Sequence, residues 1–585
     1  MDRNAWIAIL LIGLVLILTP YLEKLWAPTP VPPPPVTQSH DTIPAAKPPA
    51  ETGVRADTSA ITSTTTPLVP PVVEKPWFKQ IADPAKGVTT IVTPLYTAVL
   101  GWDGARFLHW KLHPNGKYIK DTVETVRKDE GYSIAPGLQF RDGGMRTVEF
   151  VQFTSTDSLI KLSENDTRTV TLHGAVEPFG NVELLYTFKG GSFEFEITAR
   201  YQAEKLTTLG ESGVWSISPG LSPTEDVHST AISSMTQTGE EYFVGSHVWL
   251  GEYSNGTHEE FAPSADKPEK FNASGTTQWV AQRSKYFVVA VSPKKPGTAV
   301  EMSSEIGLNP TWKTQRILVT VPTTAMAEFS TRVYWGPLKN SYVGAFAPKL
   351  DLIMNWGWAI IRPFSKAVLW TLTFLYQFVP NYGIVILLFT ILIKVILWPL
   401  TAKQFRSMKE MQIIQPIMQE MREKYKDNPK KMQEEMFKIY AEYKVNPAAG
   451  CLPMLLQMPV LYSLFIVFRS TIELRGAPFM LWIQDLSQPE ALFILPFSIP
   501  LYGVNVALLP ILMGVTQFYM GKQTASNDPN QKIMLYMMPV MMAVFFNSLP
   551  SGLVLYYFYY NLATIVQQHY IKGTTDKKVP EVKVS

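Results

Sequence analysis

The pattern of apolar and polar residues divides the chain into four parts. An apolar run covers residues 5–22, a proline-rich stretch covers 27–76, residues 77–342 alternate with a period of two, and the chain from 350 onward is apolar with helical spacing. Alternation is typical of half-buried strands, and long apolar runs are typical of membrane helices. The predicted fold class is a multi-domain membrane protein with an all-β domain and an α-helical membrane bundle.

The first apolar run, Ala5–Leu22, has about the minimum length for a membrane span. A cleaved signal peptide is the alternative, but no small-x-small cleavage site follows the run. We therefore expect an N-terminal transmembrane anchor at residues 1–26. Residues 27–76 contain 13 prolines and should form an extended or disordered linker, because they have too little apolar surface to bury.

The alternating part predicts a β-sandwich domain at residues 77–345. Turn-forming Gly, Asn and Asp residues recur between the strand-like stretches, and no long helical pattern intervenes. The clearest strands are FEFEITARY at 193–201, YFVVAVSP at 286–293, RILVTVP at 316–322 and STRVYWGP at 330–337. Two packed antiparallel sheets are the simplest way to bury them.

The helical part predicts an interfacial amphipathic helix and five membrane spans. Residues 350–380 mix tryptophans with Arg362 and Lys366, a composition that suits a helix lying at a membrane surface. Residues 381–571 form the predicted membrane core, and residues 572–585 form a short tail. The predicted spans are Tyr382–Leu400, Cys451–Phe468, Leu501–Met520, Ile533–Leu549 and Leu553–Ile571. With the anchor, the bundle has six transmembrane helices.

The distribution of lysine and arginine predicts the orientation of these spans. The loop 401–446 contains ten of them, and the loop 521–532 and the tail are also basic, whereas the loop 469–495 contains two. Because cytoplasmic loops carry the excess of Lys and Arg, both termini should be cytoplasmic. The chain is then a multi-pass protein of a bacterial inner membrane, with the β domain in the periplasm.

The basic loop 401–446 predicts a cytoplasmic helical hairpin. Its two helices, Lys403–Lys424 and Lys430–Lys444, are separated at Asp427-Asn428-Pro429. Seven acids are interspersed with the ten cations. A solvated hairpin and a docking surface for another macromolecule are both compatible with this pattern.

Composition excludes several function classes. The net charge of +3 gives no indication of nucleic-acid binding, and the single cysteine, Cys451, rules out an intrachain disulfide. Neither a metal-binding spacing of histidines nor a glycine-rich phosphate loop is present. We expect no enzymatic activity, no cofactor and no metal.

Lys394 is the clearest candidate functional residue. It lies inside FTILIKVILWPLT at 389–401, where a cation costs about 2.5–3.5 kcal/mol at the centre of a bilayer. Its side chain could snorkel towards the cytoplasm, nine residues before Lys403, or it could face a hydrated cavity. Polar residues in the spans favour the cavity, and the absence of an acidic residue from the spans argues against an ion-coupled pump. These polar residues are Thr390, Gln457, Asn505, Thr516, Gln517, Asn561, Thr564 and Gln567.

Several long motifs resemble the YidC/Oxa/Alb family of membrane protein insertases. They are VNPAAGCLPMLLQMPVLYSLF at 445–465, ELRGAPFMLWIQDLS at 473–487, LPSGLVLYYFYYNLATIVQQ at 549–568 and the stretch ending WPLT. The layout, with a large domain after the first span, looks like the Gram-negative form. The resemblance implies insertion and folding of inner-membrane proteins, alone or with the Sec translocon, without nucleotide.

The resemblance also implies a substrate groove and a set of partners. Lys394 falls on the position of a groove arginine in relatives, so the positive charge is kept but the bidentate fork is lost. Thr390 and Tyr557 match groove positions, and Gln517, Tyr556 and Gln457 complete the candidate set. The implied partners are nascent membrane proteins, the lipid bilayer, the Sec translocon with its accessory subunits, and, through 401–446, the ribosome and targeting factors.

Two other function classes remain as alternatives. A secondary transporter or channel would show repeated halves and midplane ion ligands. A membrane-tethered periplasmic glycan-binding protein or enzyme would depend on residues within 77–342 and not on Lys394.

Overall fold

A computed structural model describes most of the chain from residue 79 onward. The predicted anchor at 1–26, the linker at 27–76 and the end of the tail lie outside the described residues. The described residues are 79–80, 87–115, 119–128, 130–140, 144–177, 180–202, 209–224, 244–263, 267–305, 314–323, 327–426, 428–443, 452–499, 502–524 and 529–574.

Nineteen strands make up the β domain within these residues. They are β1 Lys79–Gln80, β2 Val88–Val92, β3 Tyr96–Gly101, β4 Phe107–Leu112, β5 Val123–Glu124, β6 Ser133–Phe140, β7 Met145–Thr147, β8 Leu159–Lys161, β9 Thr167–Glu177, β10 Gly180–Lys189, β11 Glu194–Gln202, β12 Leu209–Ser218, β13 Gly245–Leu250, β14 Thr257–Phe261, β15 Glu269–Arg283, β16 Phe287–Pro293, β17 Gly297–Glu305, β18 Thr314–Pro322 and β19 Glu328–Pro337. The four stretches singled out by alternation coincide with β11, β16, β18 and β19. The predicted β-sandwich is therefore confirmed.

One long sheet supplies most of the sandwich. Its order is β1-β9-β10-β11-β19-β16-β15-β17-β18-β12-β6-β7, with β13 pairing to β15 and β14 to β13. β15 pairs with β17 along its first half and with β16 along its second half, and its register shifts between Ser274 and Thr277. The rings of Trp215 on β12 and Phe329 on β19 nevertheless lie 5.2 Å apart, so the two halves of the sheet face each other.

A second sheet, β5-β4-β3-β2-β8, covers the aromatic centre of the domain. Trp110 on β4 stacks on Trp335 of β19 with ring centroids 4.5 Å apart, and both side chains are buried. The Trp335 indole N–H donates to Thr125 Oγ1 at 2.9 Å, so its polar atom is satisfied. Burial of these large rings gives the domain a single hydrophobic core.

Eight α-helices follow the β domain in the described residues. They are α1 Asn340–Phe346, α2 Arg362–Phe378, α3 Tyr382–Lys424, α4 Pro429–Glu442, α5 Leu452–Ser470, α6 Leu508–Thr524, α7 Pro529–Phe546 and α8 Ser551–Thr574. Short 3-10 helices occur at Leu350–Ile353 and Ile472–Leu474, and strands β20 Phe493–Ile499 and β21 Gly503–Val506 form a hairpin. One described segment, Tyr382–Met411, is long and apolar enough to cross a membrane, with a mean hydropathy of 2.5.

The predicted interfacial helix is shorter than residues 350–380. A 3-10 turn ends at Ile353, and α2 begins only at Arg362, with a proline in its first turn. Gly357 between them has φ +77°, and a Cβ at this position would lie 2.3 Å from Ile466. The left-handed backbone and the close contact with α5 therefore interrupt the helix.

The predicted span Leu501–Met520 begins too early. Residues 503–506 form β21, and α6 begins at Leu508, so Asn505 lies on a strand and not in a span. The Glu490 carboxylate fixes this start by accepting from the backbone N–H groups of Leu508 and Leu509 at 3.0 and 2.8 Å. Pro510 then stands in the first turn of the helix, where its missing N–H costs little.

The first core span and the first hairpin helix are one continuous helix. α3 runs for 43 residues from Tyr382 to Lys424 and contains Pro399 and Pro416. Asn381 caps its start by accepting from two backbone N–H groups, and Asn428 caps α4 by accepting from the backbone N–H of Lys431. Ile414, Met418 and Ile439 are buried together where α3 and α4 pack.

Candidate functional site

Lys394 lies inside the helical bundle and not on its surface. It stands in the first half of α3, and its side chain is 6 % exposed. Its ammonium Nζ donates to Thr564 Oγ1 at 2.5 Å and lies 3.6 Å from the centroid of the Tyr560 ring. Both partners belong to α8, so the side chain reaches across to another helix.

The contacts continue from Tyr560 to α5. The Tyr560 hydroxyl donates to Gln457 Oε1 at 2.7 Å, and the Thr564 hydroxyl donates to the Tyr560 carbonyl at 2.6 Å. We refer to Lys394, Gln457, Tyr560 and Thr564 as the Lys394 cluster. It joins three helices through polar groups in a region that is otherwise apolar, where each such contact has few competing partners.

α8 makes two further polar contacts with the other helices. Gln567 donates from Nε2 to Thr401 Oγ1 at 2.7 Å, seven residues after Lys394 on the same helix. Asn561 donates to Thr516 Oγ1 of α6 at 3.2 Å. Since Tyr560, Thr564 and Gln567 recur at helical spacing, one polar face of α8 runs along the bundle interior.

The structure brings some of the predicted groove residues together. Gln457 belongs to the Lys394 cluster, and Thr390 is buried one turn before Lys394, where its hydroxyl donates to the Ile386 carbonyl at 2.7 Å. Tyr556 is fully buried one turn before Tyr560, with ring centroids 6.0 Å apart.

The other two predicted residues lie to the side of this cluster. Tyr557 packs edge-on against Phe546 of α7 with ring centroids 4.7 Å apart. Gln517 is half-buried on α6, next to the Thr516 hydroxyl that accepts from Asn561. Among the described residues, the hydrogen bond and the cation–π contact of Lys394 go to Thr564 and Tyr560 and not to these two side chains.

Two members of the Lys394 cluster, Tyr560 and Thr564, were absent from the predicted site. Thr564 is one of the polar residues in the predicted spans, and Tyr560 is one of four tyrosines in the motif at 549–568. Their spacing of four residues, continued by Tyr556 one turn earlier, places them on one helix face. That spacing was the signal that could have identified them from the sequence.

The Lys394 cluster holds a positive charge without a paired acid. Within the part of the chain that the structure describes, no carboxylate forms an ion pair with Lys394. The face of an aromatic ring and a hydroxyl stabilise an ammonium, but they leave its charge unneutralised. The cluster can therefore attract an anionic group that reaches it.

The outer face of α3 around Lys394 is apolar and exposed. Ile391, Val395, Ile396 and Trp398 are between 43 % and 65 % exposed, while Thr390 and Lys394 face inward. Exposed apolar rows of this kind are expected where lipid, and not water, surrounds a helix.

The described residues contain no group of three or more His, Cys, Asp or Glu side chains that could hold a metal ion. In the β domain, however, His247 and His258 stack with ring centroids 5.3 Å apart. Burial, followed by the nearby Arg362 and Arg283, lowers the pKa of His258 to about 4. Burial also lowers the pKa of His247, so both rings are neutral at pH 7. This pair is not predictable from the spacing of the two histidines, because they lie on different strands that only the folded sheet brings together.

Comparison with known proteins covers both halves of the chain. A family model described as YidC periplasmic domain matches residues 88–370, and one described as 60Kd inner membrane protein matches residues 374–578. Among solved structures, an active YidC insertase crystal structure is 18 % identical, with a TM-score of 0.35, over 86 % of this chain and 95 % of that one. YidC from Thermotoga maritima is 13 % identical, with a TM-score of 0.28, over 82 % and 99 %.

Sequence relatives are closer. A membrane protein insertase YidC from Chlorobium luteolum is 34 % identical over 520 residues, which cover 87 % of this chain and 86 % of the relative. One from Chloroherpeton thalassium is 36 % identical over 503 residues, 83 % of each. The resemblance in the motifs is thus confirmed over nearly the whole length. The chain belongs to the YidC family of membrane protein insertases.

Proposed function

We propose that the chain inserts hydrophobic segments into the inner membrane, and that Lys394 draws acidic residues of the substrate into the bundle. The observation that carries this proposal is the buried ammonium of Lys394, which has a ring face and a hydroxyl as partners but no carboxylate among the described residues. An uncompensated charge of this kind is costly in a membrane interior and is expected to serve a function.

The contacts of the Lys394 cluster suggest how a substrate engages it. Before a substrate arrives, the Tyr560 ring covers the ammonium, and Gln457 holds the ring through the tyrosine hydroxyl. An acidic side chain that enters between α3, α5 and α8 displaces the ring and forms an ion pair with Lys394. Because the ion pair is stronger than the cation–π contact in a poorly solvated site, the exchange is favourable.

Insertion by this route needs no nucleotide. A substrate span of about 20 residues gains roughly 25 cal/mol for each Å² of apolar surface that leaves water. The obstacle is the polar flank, whose groups lose their hydration in the bilayer. A hydrophilic groove would lower this desolvation cost. The groove would contain Lys394, Thr390 and Gln457, with Tyr556, Tyr557 and Gln517 around it.

The membrane topology that we propose has six spans. The N-terminal anchor, the first half of α3, α5, α6, α7 and α8 each cross the bilayer, and α2 lies at the periplasmic interface. The basic loops place α4 and both termini in the cytoplasm, so the β domain and the β20–β21 hairpin lie in the periplasm. Polar contacts from α8 to α3, α5 and α6 support one compact bundle.

The helical hairpin at residues 401–446 is proposed as the docking surface for the ribosome and targeting factors. Its own small core, Ile414, Met418 and Ile439, lets it fold as a projecting unit. Phe437 remains 60 % exposed on α4 and is available to a partner. Cooperation with the Sec translocon is proposed on the family resemblance. Because the chain belongs to a family of membrane protein insertases, we favour insertion over the transporter and glycan-binding alternatives.

Depletion of the host insertase, followed by expression of this chain, tests the proposal. Wild type and Lys394→Arg should restore growth and the insertion of single-span substrates with acidic translocated segments, whereas Lys394→Ala should be impaired on them. Lys522→Ala, which removes an exposed cation from α6 outside the proposed docking surface, is the control. Restoration of growth by residues 1–349 alone would show that the membrane helices are not the functional part.

A further inference from the structure

A cavity of about 550 Å³ lies where the β domain meets the first helices. Its walls come from the start of α1, from α2, from the first residue of α3 and from the 3-10 helix after α5. Two lysines, Lys339 and Lys366, and one carboxylate, Glu473, line it, together with the rings of Trp356 and Trp370. Its volume falls within the range of small-molecule sites, roughly 300–1,000 Å³.

Glu473 contributes an unsatisfied acceptor to this cavity. Its Oε2 atom is buried and has no hydrogen-bond partner among the described residues. Burial raises the pKa of the Glu473 carboxyl, and the nearby Lys339 only partly offsets this effect. A buried carboxylate oxygen without a donor is costly, so a ligand that donates a hydrogen bond to it would stabilise the site.

The two lysines give the same cavity an anion-binding side. Lys366 Nζ lies 2.9 Å from Asp351 Oδ2, outside the cavity wall, and 5.4 Å from the Trp356 ring within that wall, and these two contacts fix its position. Lys339 Nζ lies 4.9 Å from the Tyr342 ring. A lysine ammonium has three donors, so the bond from Lys366 to Asp351 leaves hydrogen-bonding capacity for a phosphate.

The rim of the cavity continues into an exposed aromatic row on α2. Trp370 belongs to the cavity wall and is also 65 % exposed. Its ring stacks on Phe374 at 5.3 Å, and Phe374 packs against Phe378 at 5.1 Å. Exposed aromatic rows on an amphipathic helix lie against acyl chains at a membrane surface.

We propose that this cavity binds the headgroup of a phospholipid that carries both a phosphate and a primary ammonium, as in phosphatidylethanolamine. The phosphate lies near Lys339 and Lys366, the ammonium donates to Glu473, and the acyl chains follow the row from Trp370 to Phe378. The inference rests on the proposed position of α2 at the periplasmic interface.

The charges of the cavity distinguish this headgroup from other common ones. Phosphatidylglycerol supplies the phosphate but no cation for Glu473. Phosphatidylcholine supplies a cation, but its quaternary nitrogen has no N–H to donate. Of the three headgroups, the primary ammonium alone gives Glu473 a charged N–H donor while the phosphate meets the lysines, and hydrogen bonds between charged groups are stronger than those from a neutral hydroxyl.

Native mass spectrometry of the purified full-length protein tests the proposal. The protein in detergent is titrated with phosphatidylethanolamine, phosphatidylcholine or phosphatidylglycerol of identical acyl chains. Wild type should bind the ethanolamine lipid roughly tenfold more tightly than the other two. Glu473→Gln should abolish this preference, and Lys366→Gln should weaken binding of the ethanolamine lipid.

One variant serves as the control, and one competitor identifies the source of the headgroup. Lys349→Gln, which removes an exposed lysine outside the cavity, should bind as wild type does. Free phosphoethanolamine should not displace the lipid at equal concentration, because it lacks acyl chains for the aromatic row. Displacement at equal concentration would contradict the lipid assignment.

Equal affinity of the wild type for all three lipids would overturn the proposal, even if a variant fails to fold. A preserved ethanolamine preference in Glu473→Gln would overturn it as well. Lys394→Gln should retain the lipid preference while losing insertion of acidic substrates. The two proposals can therefore fail independently.

Discussion

Replacement of Lys394 by glutamine should selectively weaken the insertion of substrates with acidic translocated segments. Glutamine keeps a polar head that can donate hydrogen bonds but carries no charge, so the change removes mainly the charge. The side chain is 6 % exposed, and the described residues offer it no carboxylate. Neither water nor a neighbouring carboxylate therefore screens this charge strongly, so its loss should be felt by an acidic substrate.

The expected size of the effect follows from the two interactions that exchange at Lys394. A carboxylate about 5 Å from the ammonium gains about 3 kcal/mol at an effective dielectric constant near 20. The Tyr560 contact that it displaces, at 3.6 Å from the ring centroid, contributes up to about 2 kcal/mol. The net gain of about 1–2 kcal/mol predicts a roughly five- to thirtyfold slower insertion by Lys394→Gln.

Reconstituted vesicles allow this rate to be measured. Purified wild type, Lys394→Gln, Lys394→Arg and Lys403→Gln are compared on one single-span substrate with an acidic translocated segment, by protection from added protease. Arginine keeps the charge and should stay within about threefold of wild type, since only the geometry of the contact changes. Full activity of Lys394→Gln, or an equal loss in Lys403→Gln, would refute the reasoning.

Three further predictions concern other parts of the molecule. Tyr560→Leu removes the cation–π contact that a substrate carboxylate must displace, so it should insert acidic substrates faster than wild type does. Tyr560→Phe keeps the ring face but loses the hydroxyl bond to Gln457, so its insertion rate should lie between those of wild type and Tyr560→Leu; equal rates for the two variants would show that the ring is unimportant. Ile414→Ala removes a buried side chain at a cost of about 2–5 kcal/mol, so limited proteolysis within 401–446 should be faster than in wild type. Phe437→Ala, which changes an exposed residue of α4, is the control. Equal cleavage rates for the two variants would contradict the packing of Ile414 between α3 and α4. Folding lowers the pKa of His258 to about 4, so below pH 6.5 the folded protein binds fewer protons than the unfolded chain does. The free energy of unfolding should therefore be highest above pH 6.5 and should decrease by up to about 3 kcal/mol as the pH falls to 4. His258→Gln should make the free energy of unfolding less dependent on pH, whereas His109→Gln, at an exposed site, is the control. An unchanged pH profile in His258→Gln would contradict the role given to His258.

The β domain was predictable from sequence because its signal is local. In β18 and β11, buried and partly exposed residues alternate along most of each strand, and that alternation is visible in the residue types. The order of the strands was not predictable, because pairs such as β11 with β19 join segments more than 100 residues apart. The His247–His258 stack was missed for a related reason, since the pairing of β13 with β14 brings the two rings together.

In the helical part, composition identified Lys394 but not its partners. A lone cation in an apolar run is conspicuous in the sequence, whereas Thr564 lies 170 residues away and is an ordinary residue in an apolar helix. The β20–β21 hairpin was missed because its apolar residues resemble a span when read alone. The Glu490 carboxylate that caps α6 lies 18 residues before the start of that helix, too far for a local pattern.

The central claim is that the charge of Lys394 acts on acidic residues of the substrate. A double-mutant cycle tests it most directly, with wild type and Lys394→Gln each assayed in vesicles on an acidic substrate and on the same substrate with Asn in place of Asp. The account predicts a coupling free energy of about 1–2 kcal/mol, so that Lys394→Gln slows the acidic substrate but not its neutral counterpart. An equal effect of Lys394→Gln on both substrates, with a coupling energy near zero, would contradict it.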